Sequence, residues 1–180
     1  QHFESELAPQ LAAHEDAIAL GPNLFERVSG LYDSRATLAL EPEAVQLLER
    51  YYTQFVRAGA RLNDTDKARL KAINAQISSL TTRFKQNVLK ATSDGAVVGD
   101  SAAELAGLAA EQIGAAAEAA AARGLSGKWL ITLQNTTSQP LLAQLVNRPL
   151  RERLFKASTA RCRGGVADNT QIVQQLVVLR

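Results

Sequence analysis

Between residues 41 and 92, apolar side chains recur at alternating steps of three and four. They run first through Val45, Leu48, Tyr52 and Phe55, then through Leu70, Ile73, Ile77, Leu80, Phe84, Val88 and Ala91. That period lays each set along one stripe of an α-helix and leaves the Lys, Arg, Gln and Asp between them for water. Only Ala58-Gly59-Ala60-Arg61-Leu62-Asn63 separates the two runs. Gly59 can take the left-handed conformation that closes a helix, and Asn63 or Asp64 can cap the next one. Two long helices joined so tightly must fold back on each other, which sets the fold class as mainly α.

A length of 180 residues suits one domain or a piece of a larger protein. With 46% hydrophobic residues the chain can bury a core. Twenty basic against 18 acidic residues leave a net charge of +2, too little to draw nucleic acid or an anionic membrane. The densest basic group, Arg148, Arg151, Arg153 and Lys156, is interrupted by Glu152 and lacks an aromatic platform, so it reads as a solvated helix face. Cys162 has no second cysteine to pair with. Its neighbours Arg161 and Arg163 can lower its pKa, but with no His beside it the residue reads as a buried or incidental thiol. No apolar run approaches the roughly 20 residues that cross a bilayer. The opening Gln1-His2-Phe3-Glu4 lacks the basic and apolar stretches of a signal peptide.

Before the hairpin, residues 4–20 read as a helix with Leu7, Leu11, His14 and Ile18 on its inward side, Pro9 either lying in its first turns or marking a late start. A second helix over about 23–34 turns Leu24, Phe25, Val28, Leu31 and Tyr32 inward. Glu41-Pro42 opens the first hairpin helix, where proline's missing N–H costs nothing. The second ends near residue 92. Beyond it, 96–98 and 128–134 form a minor two-stranded β-element, since a lone strand would leave its backbone groups unpaired. Between them, an alanine-rich helix over 108–122 is closed by Gly124, its small residues suited to close packing. Asn135-Thr136-Thr137-Ser138 is a polar turn capping a helix over 140–146. Asn147 caps another over about 149–163, with Leu150, Leu154, Phe155 and Ala157 facing the core. A last helix starts at Asp168 or Asn169 and carries Ile172, Val173, Leu176, Val177 and Leu179. Ending on its final apolar turn, it reads as cut off from a longer chain.

No residues in the sequence assemble a catalytic site. His14-Glu15 begins like the H-E-x-x-H zinc motif, but Ile18 holds the place of the second histidine, and one imidazole does not make a catalytic zinc site. There is no G-x-S-x-G elbow, Walker loop or G-x-G-x-x-G turn. Asp64 and Asp66 stand at a helix start, where carboxylates favour the macrodipole.

The wording of the hairpin says more than the missing chemistry. Leu47-Leu48-Glu49-Arg50-Tyr51-Tyr52-Thr53-Gln54-Phe55-Val56-Arg57-Ala58-Gly59-Ala60-Arg61-Leu62, continued by Lys67-Ala68-Arg69-Leu70-Lys71-Ala72-Ile73-Asn74, resembles the peptidyl-dipeptidase branch of the zinc metallopeptidase family that includes thimet oligopeptidase and oligopeptidase A. Lys128-Trp129-Leu130-Ile131 with Leu133-Gln134-Asn135-Thr136-Thr137-Ser138-Gln139-Pro140 is similar to the same branch. So are Leu150-Arg151-Glu152-Arg153-Leu154-Phe155-Lys156-Ala157-Ser158 and Asp168-Asn169-Thr170. These stretches follow the family's order over nearly the whole chain.

The resemblance implies a largely helical, two-lobed parent with a deep channel. In it a His-Glu-x-x-His helix and a later Glu hold one zinc, and dipeptides leave the C-termini of short peptides. Those residues belong to a later part of the family's sequence, so no catalytic, cofactor-binding or metal residue is carried onto any position here. The expectation is an antiparallel multi-helix region, residues 1–180, forming the N-terminal channel wall of a bacterial peptidyl-dipeptidase and inactive by itself. Its expected partners are the parent's catalytic lobe and short peptides in the channel, with neither nucleic acid nor membrane, and a dimer through an exposed C-terminal helix is a further option. The expected compartment is the cytoplasm, the periplasm being the alternative. A free-standing helical interaction module derived from the family is the rival reading. It differs in covering the apolar face of the last helix by itself.

Overall fold

The computed structural model describes residues 2–180, the side chain of Thr136 excepted. Gln1, part of the opening segment read above, lies outside the described residues. The helices are α1 (His2–Ala19), α2 (Pro22–Ser34), α3 (Pro42–Ala58), α4 (Asp64–Asp94), α5 (Ala110–Ala121), α6 (Asn135–Gln144), α7 (Arg148–Thr159) and α8 (Thr170–Leu179). Strands β1 (Val97–Gly99) and β2 (Trp129–Ile131) flank a short 3-10 turn, Ala102–Leu105, and α5. The mainly α class with a minor two-stranded sheet holds. Contacts group the residues into two compact units, one ending at Arg83 and regaining 176–180, the other spanning 84–175.

In the first unit the hairpin forms as its period requires. Val45, Leu48 and Tyr52 on α3, and Leu70, Ile73, Ile77 and Leu80 on α4, are all at least half-buried, and Phe55 is buried. Gly59 closes α3 at φ +99°. Its N–H donates to the Val56 carbonyl at 3.1 Å and that of Ala60 to the Phe55 carbonyl at 3.0 Å, which satisfies the open carbonyls of the last turn. Asn63 caps α4, its Oδ1 accepting from the Asp66 N–H at 2.9 Å. Helix α2 packs on α3 through aromatic rings. Tyr32 and Tyr52 stack with centroids 3.8 Å apart, Arg35 lies 4.0 Å over Tyr32, and Arg61 donates to the Tyr52 hydroxyl.

Two helices in this unit depart from the face the periodicity suggests, α2 by burying only part of it and α1 by burying another side. On α2, Phe25, Val28 and Tyr32 turn inward, but Leu24 and Leu31 are exposed. On α1, Leu7, Leu11, His14 and Ile18 all face solvent. The covered side is instead Ala8, Pro9, Ala12, Asp16 and Ala19, small residues that admit close approach. Asp16, buried there, accepts from Asn74 Nδ2 of α4 at 2.7 Å. That bond meets the requirement that a buried carboxylate be partnered, and it fixes which side of α1 lies inward.

The second unit is built on the sheet. β1 and β2 run antiparallel, with Val97 opposite Ile131 and Gly99 opposite Trp129. Lys128 and Asp100 pair at 2.7 Å at one end of the sheet, and the ammonium holds the Asp100 carboxyl below its ordinary range. Leu105, Ile131, Leu133, Leu145, Leu150 and Leu154 form the core beneath it. β2 is shorter than the expected 128–134 because its end has other work. The Leu133 carbonyl accepts from Arg161 at 2.7 Å, and Gln134 already stands at the N-cap of α6. So α6 starts at Asn135 and contains both the polar turn and Pro140. Asn147 caps α7, accepting from the Leu150 N–H at 2.9 Å. Phe155, expected inward, is 56% exposed. Helix α7 stops at Thr159 rather than near 163, and Cys162 follows at φ +60°, a conformation that cannot continue a right-handed helix.

Two connections hold this unit's loops. The Val146 N–H donates to the Ala106 carbonyl at 2.9 Å, and Gly107 (φ +97°) lies against the backbone of Gln144 and Val146. Asn169, 3% exposed, donates to the Phe84 carbonyl of α4 at 3.2 Å and accepts from Asn87 Nδ2 at 2.8 Å.

Candidate functional site

His2 and His14 are both exposed and lie on one helix. His2 pairs with Glu6 at 3.1 Å, and His14 is turned away from the buried side of α1. Among the described residues, no three His, Cys, Asp or Glu side chains come together as metal ligands. A zinc of the kind the resemblance implies needs three protein donors and an open position, and the residues described here do not fit it. Asp64 and Asp66 are exposed at the start of α4, and Asp66 accepts from Asn63 Nδ2 at 2.8 Å. They are helix-start carboxylates rather than an acid–base pair in a pocket.

The basic group is divided among structural tasks. Arg153 donates to the Val98 carbonyl and lies 3.8 Å from Glu104. Lys156 pairs with Glu152 at 2.6 Å, and Arg151 donates to the Leu145 carbonyl at 3.0 Å. Of the four, Arg148 has no partner among the described residues. The alanine-rich helix α5 buries Ala116 and Ala120, as its composition suggests. Ala115 and Ala119 line a cavity of about 340 Å³ with Leu130, Thr132 and Pro140. No titratable side chain lines that cavity, so it offers no acid or base.

Cys162 is half-buried. Burial pushes its thiol pKa above the ordinary value; Arg161 opposes this and Asp168 adds to it. The lowering that two flanking arginines suggest in the sequence is therefore outweighed. With the folded pKa raised, less thiolate is present at any given pH. The rate of iodoacetamide alkylation should accordingly rise with pH around a midpoint above that of the urea-unfolded chain. A midpoint at or below the unfolded one would contradict this account.

No helix among the described residues is long and apolar enough to cross a membrane. The fold is mainly α, with a small two-stranded sheet. No family model matches the sequence. Over its whole length the chain is 40% identical to the dipeptidyl carboxypeptidase of Escherichia coli (strain K12) and spans 27% of that protein. It is 42% identical to the dipeptidyl carboxypeptidase of Salmonella typhimurium, again spanning 27% of it. Oligopeptidase A of Haemophilus influenzae is 30% identical over an alignment of 138 positions that covers 74% of this chain and 20% of that protein. The chain belongs to the family of the dipeptidyl carboxypeptidases and oligopeptidase A, matching their N-terminal part.

Proposed function

We propose that this chain is the N-terminal channel-wall region of a bacterial zinc peptidyl-dipeptidase, which releases dipeptides from the C-termini of short peptides. The identity over the full chain to two dipeptidyl carboxypeptidases carries the reading. In such a parent the region limits entry to slim, flexible chains. The zinc and its ligands belong to a separate lobe, and the expected compartment is the cytoplasm. The outward valines of α8 support a covering partner of this kind. Val173, Val177 and Val178 are 44%, 71% and 86% exposed, and clustered apolar exposure marks an interaction surface. A self-contained module is expected to cover the apolar face of α8 itself; Ile172 is buried and Leu176 and Leu179 are half-buried, so it is the valine side that stays open to a covering lobe.

On this reading the purified 180-residue chain carries no stoichiometric zinc and releases no dipeptide from a blocked tripeptide. Atomic absorption and a chelator-controlled peptidase assay check both points. One zinc per chain, or dipeptide release abolished by chelator, would overturn the assignment.

A further inference from the structure

A cleft of about 340 Å³ between α6 and α7 is lined by Leu142, Arg148, Arg151, Glu152 and Phe155. Its walls divide by chemistry. Leu142 and Phe155 give an apolar side, and Phe155 remains 56% exposed, although burying such a ring gains about 25 cal/mol per Å². The other side is cationic. Arg148 has no partner among the described residues, and Arg151 gives the Leu145 carbonyl only one of its several N–H groups. Glu152, the one acid in the lining, is engaged by Lys156 at 2.6 Å, which holds its carboxyl below the ordinary range. The first turn of α7 carries no acid to offset the arginines.

We propose that this cleft binds an acidic peptide segment with an aromatic or aliphatic side chain next to its carboxylate. A guanidinium fork matches a carboxylate in two parallel hydrogen bonds. The neighbouring apolar side chain then covers Phe155 and Leu142, with ring stacking as an added term for an aromatic. Inorganic phosphate would meet the arginines but leave the apolar wall bare. Nucleic acid would need a longer track of cations than two. The proposal uses no group from the peptidase reading and stands independently of it.

The test is an amide-resolved NMR titration of the full chain with acetyl-Asp-Phe-Asp-amide, alongside acetyl-Lys-Phe-Lys-amide and sodium phosphate. The acidic peptide should give saturable shifts at Leu142 and across Arg148 to Phe155, weakened by added salt. Arg148→Glu and Phe155→Ser should each weaken binding about tenfold, or about 1.4 kcal/mol. Both side chains are exposed, and the dispersion of each variant's own spectrum confirms that it is folded. Absence of saturable shifts at millimolar peptide overturns the proposal. So does equal binding of the basic peptide, or shifts reproduced by phosphate with peptide affinity indifferent to Phe155→Ser.

Discussion

Gly107→Ala is expected to destabilise the 84–175 unit by about 3 kcal/mol, made up of about 1–2 kcal/mol for a left-handed residue with a side chain and the remainder from overpacking. The residue sits at φ +97°. A methyl group there would run into the Gln144 carbonyl oxygen and lie 2.9 Å from Val146 Cγ2 and 3.1 Å from the Val146 nitrogen. Two of these three obstacles are backbone and cannot swing aside. Nor can the segments separate cheaply, because the Val146 N–H is bonded to the Ala106 carbonyl and Leu105 and Leu145 anchor both sides in the core. Urea unfolding followed by the fluorescence of Trp129, the chain's one tryptophan, reads this unit. Gly124→Ala is the control: its φ is +74° but nothing lies within 4 Å, so it should lose only the conformational part. Equal losses at the two positions would show that the backbone clash contributes nothing.

Asn169→Ala should cost about 2–4 kcal/mol in the same assay, since each buried polar group left unpaired is worth about 1–3 kcal/mol. The Asn169 amide acts at both ends, donating to the Phe84 carbonyl and accepting from Asn87. Its backbone N–H also donates to the Cys162 carbonyl at 3.0 Å. One buried side chain thus fastens the loop before α8 to the last turns of α4. A double-mutant cycle with Asn87→Ala separates this network from simple loss of volume. The pair should be coupled by about 1 kcal/mol, whereas strict additivity would mean that the Asn87–Asn169 bond does not stabilise the fold. Asn169→Asp is a sharper variant, because it keeps an acceptor for Asn87 but sets a carboxylate against the Phe84 carbonyl.

Much of this architecture can be read from residue order, and the rest fails for physical reasons. The hairpin was legible because its period, its Gly59 stop and its Asn63 cap are local signals that agree. Asn147 is a further case. Which side of a helix lies inward is not local, and the leucines of α1 show it: a regular apolar stripe is left in water, while Asp16 is buried on Asn74. Phe155 misleads in the same way, because a helical period gives a stripe and not its limits. β2 is cut short by Arg161, a donor distant in sequence. Gly107 carries no signal of its own, since the backbone that forbids a side chain there arrives from the α6–α7 junction. As for chemistry, His14-Glu15 opens like a zinc motif in the sequence, but Ile18 holds the place of its second histidine. The cleft at Arg148 was visible only as an interrupted basic run. The pairing of Glu152 with Lys156 separates its free cation from the rest.

The stacked tyrosines of α2 and α3 have an optical consequence. All three tyrosines, Tyr32, Tyr51 and Tyr52, fall in the unit that ends at Arg83, and the single tryptophan falls in the other. Two phenol rings held parallel at 3.8 Å couple as transition dipoles and should give a near-ultraviolet circular dichroism signal that vanishes when α2 leaves α3. Indole emission reports on the sheet alone. The chain therefore carries two native chromophores, one for each half, and their melting curves, recorded on one unlabelled sample, tell whether the halves come apart together or in turn.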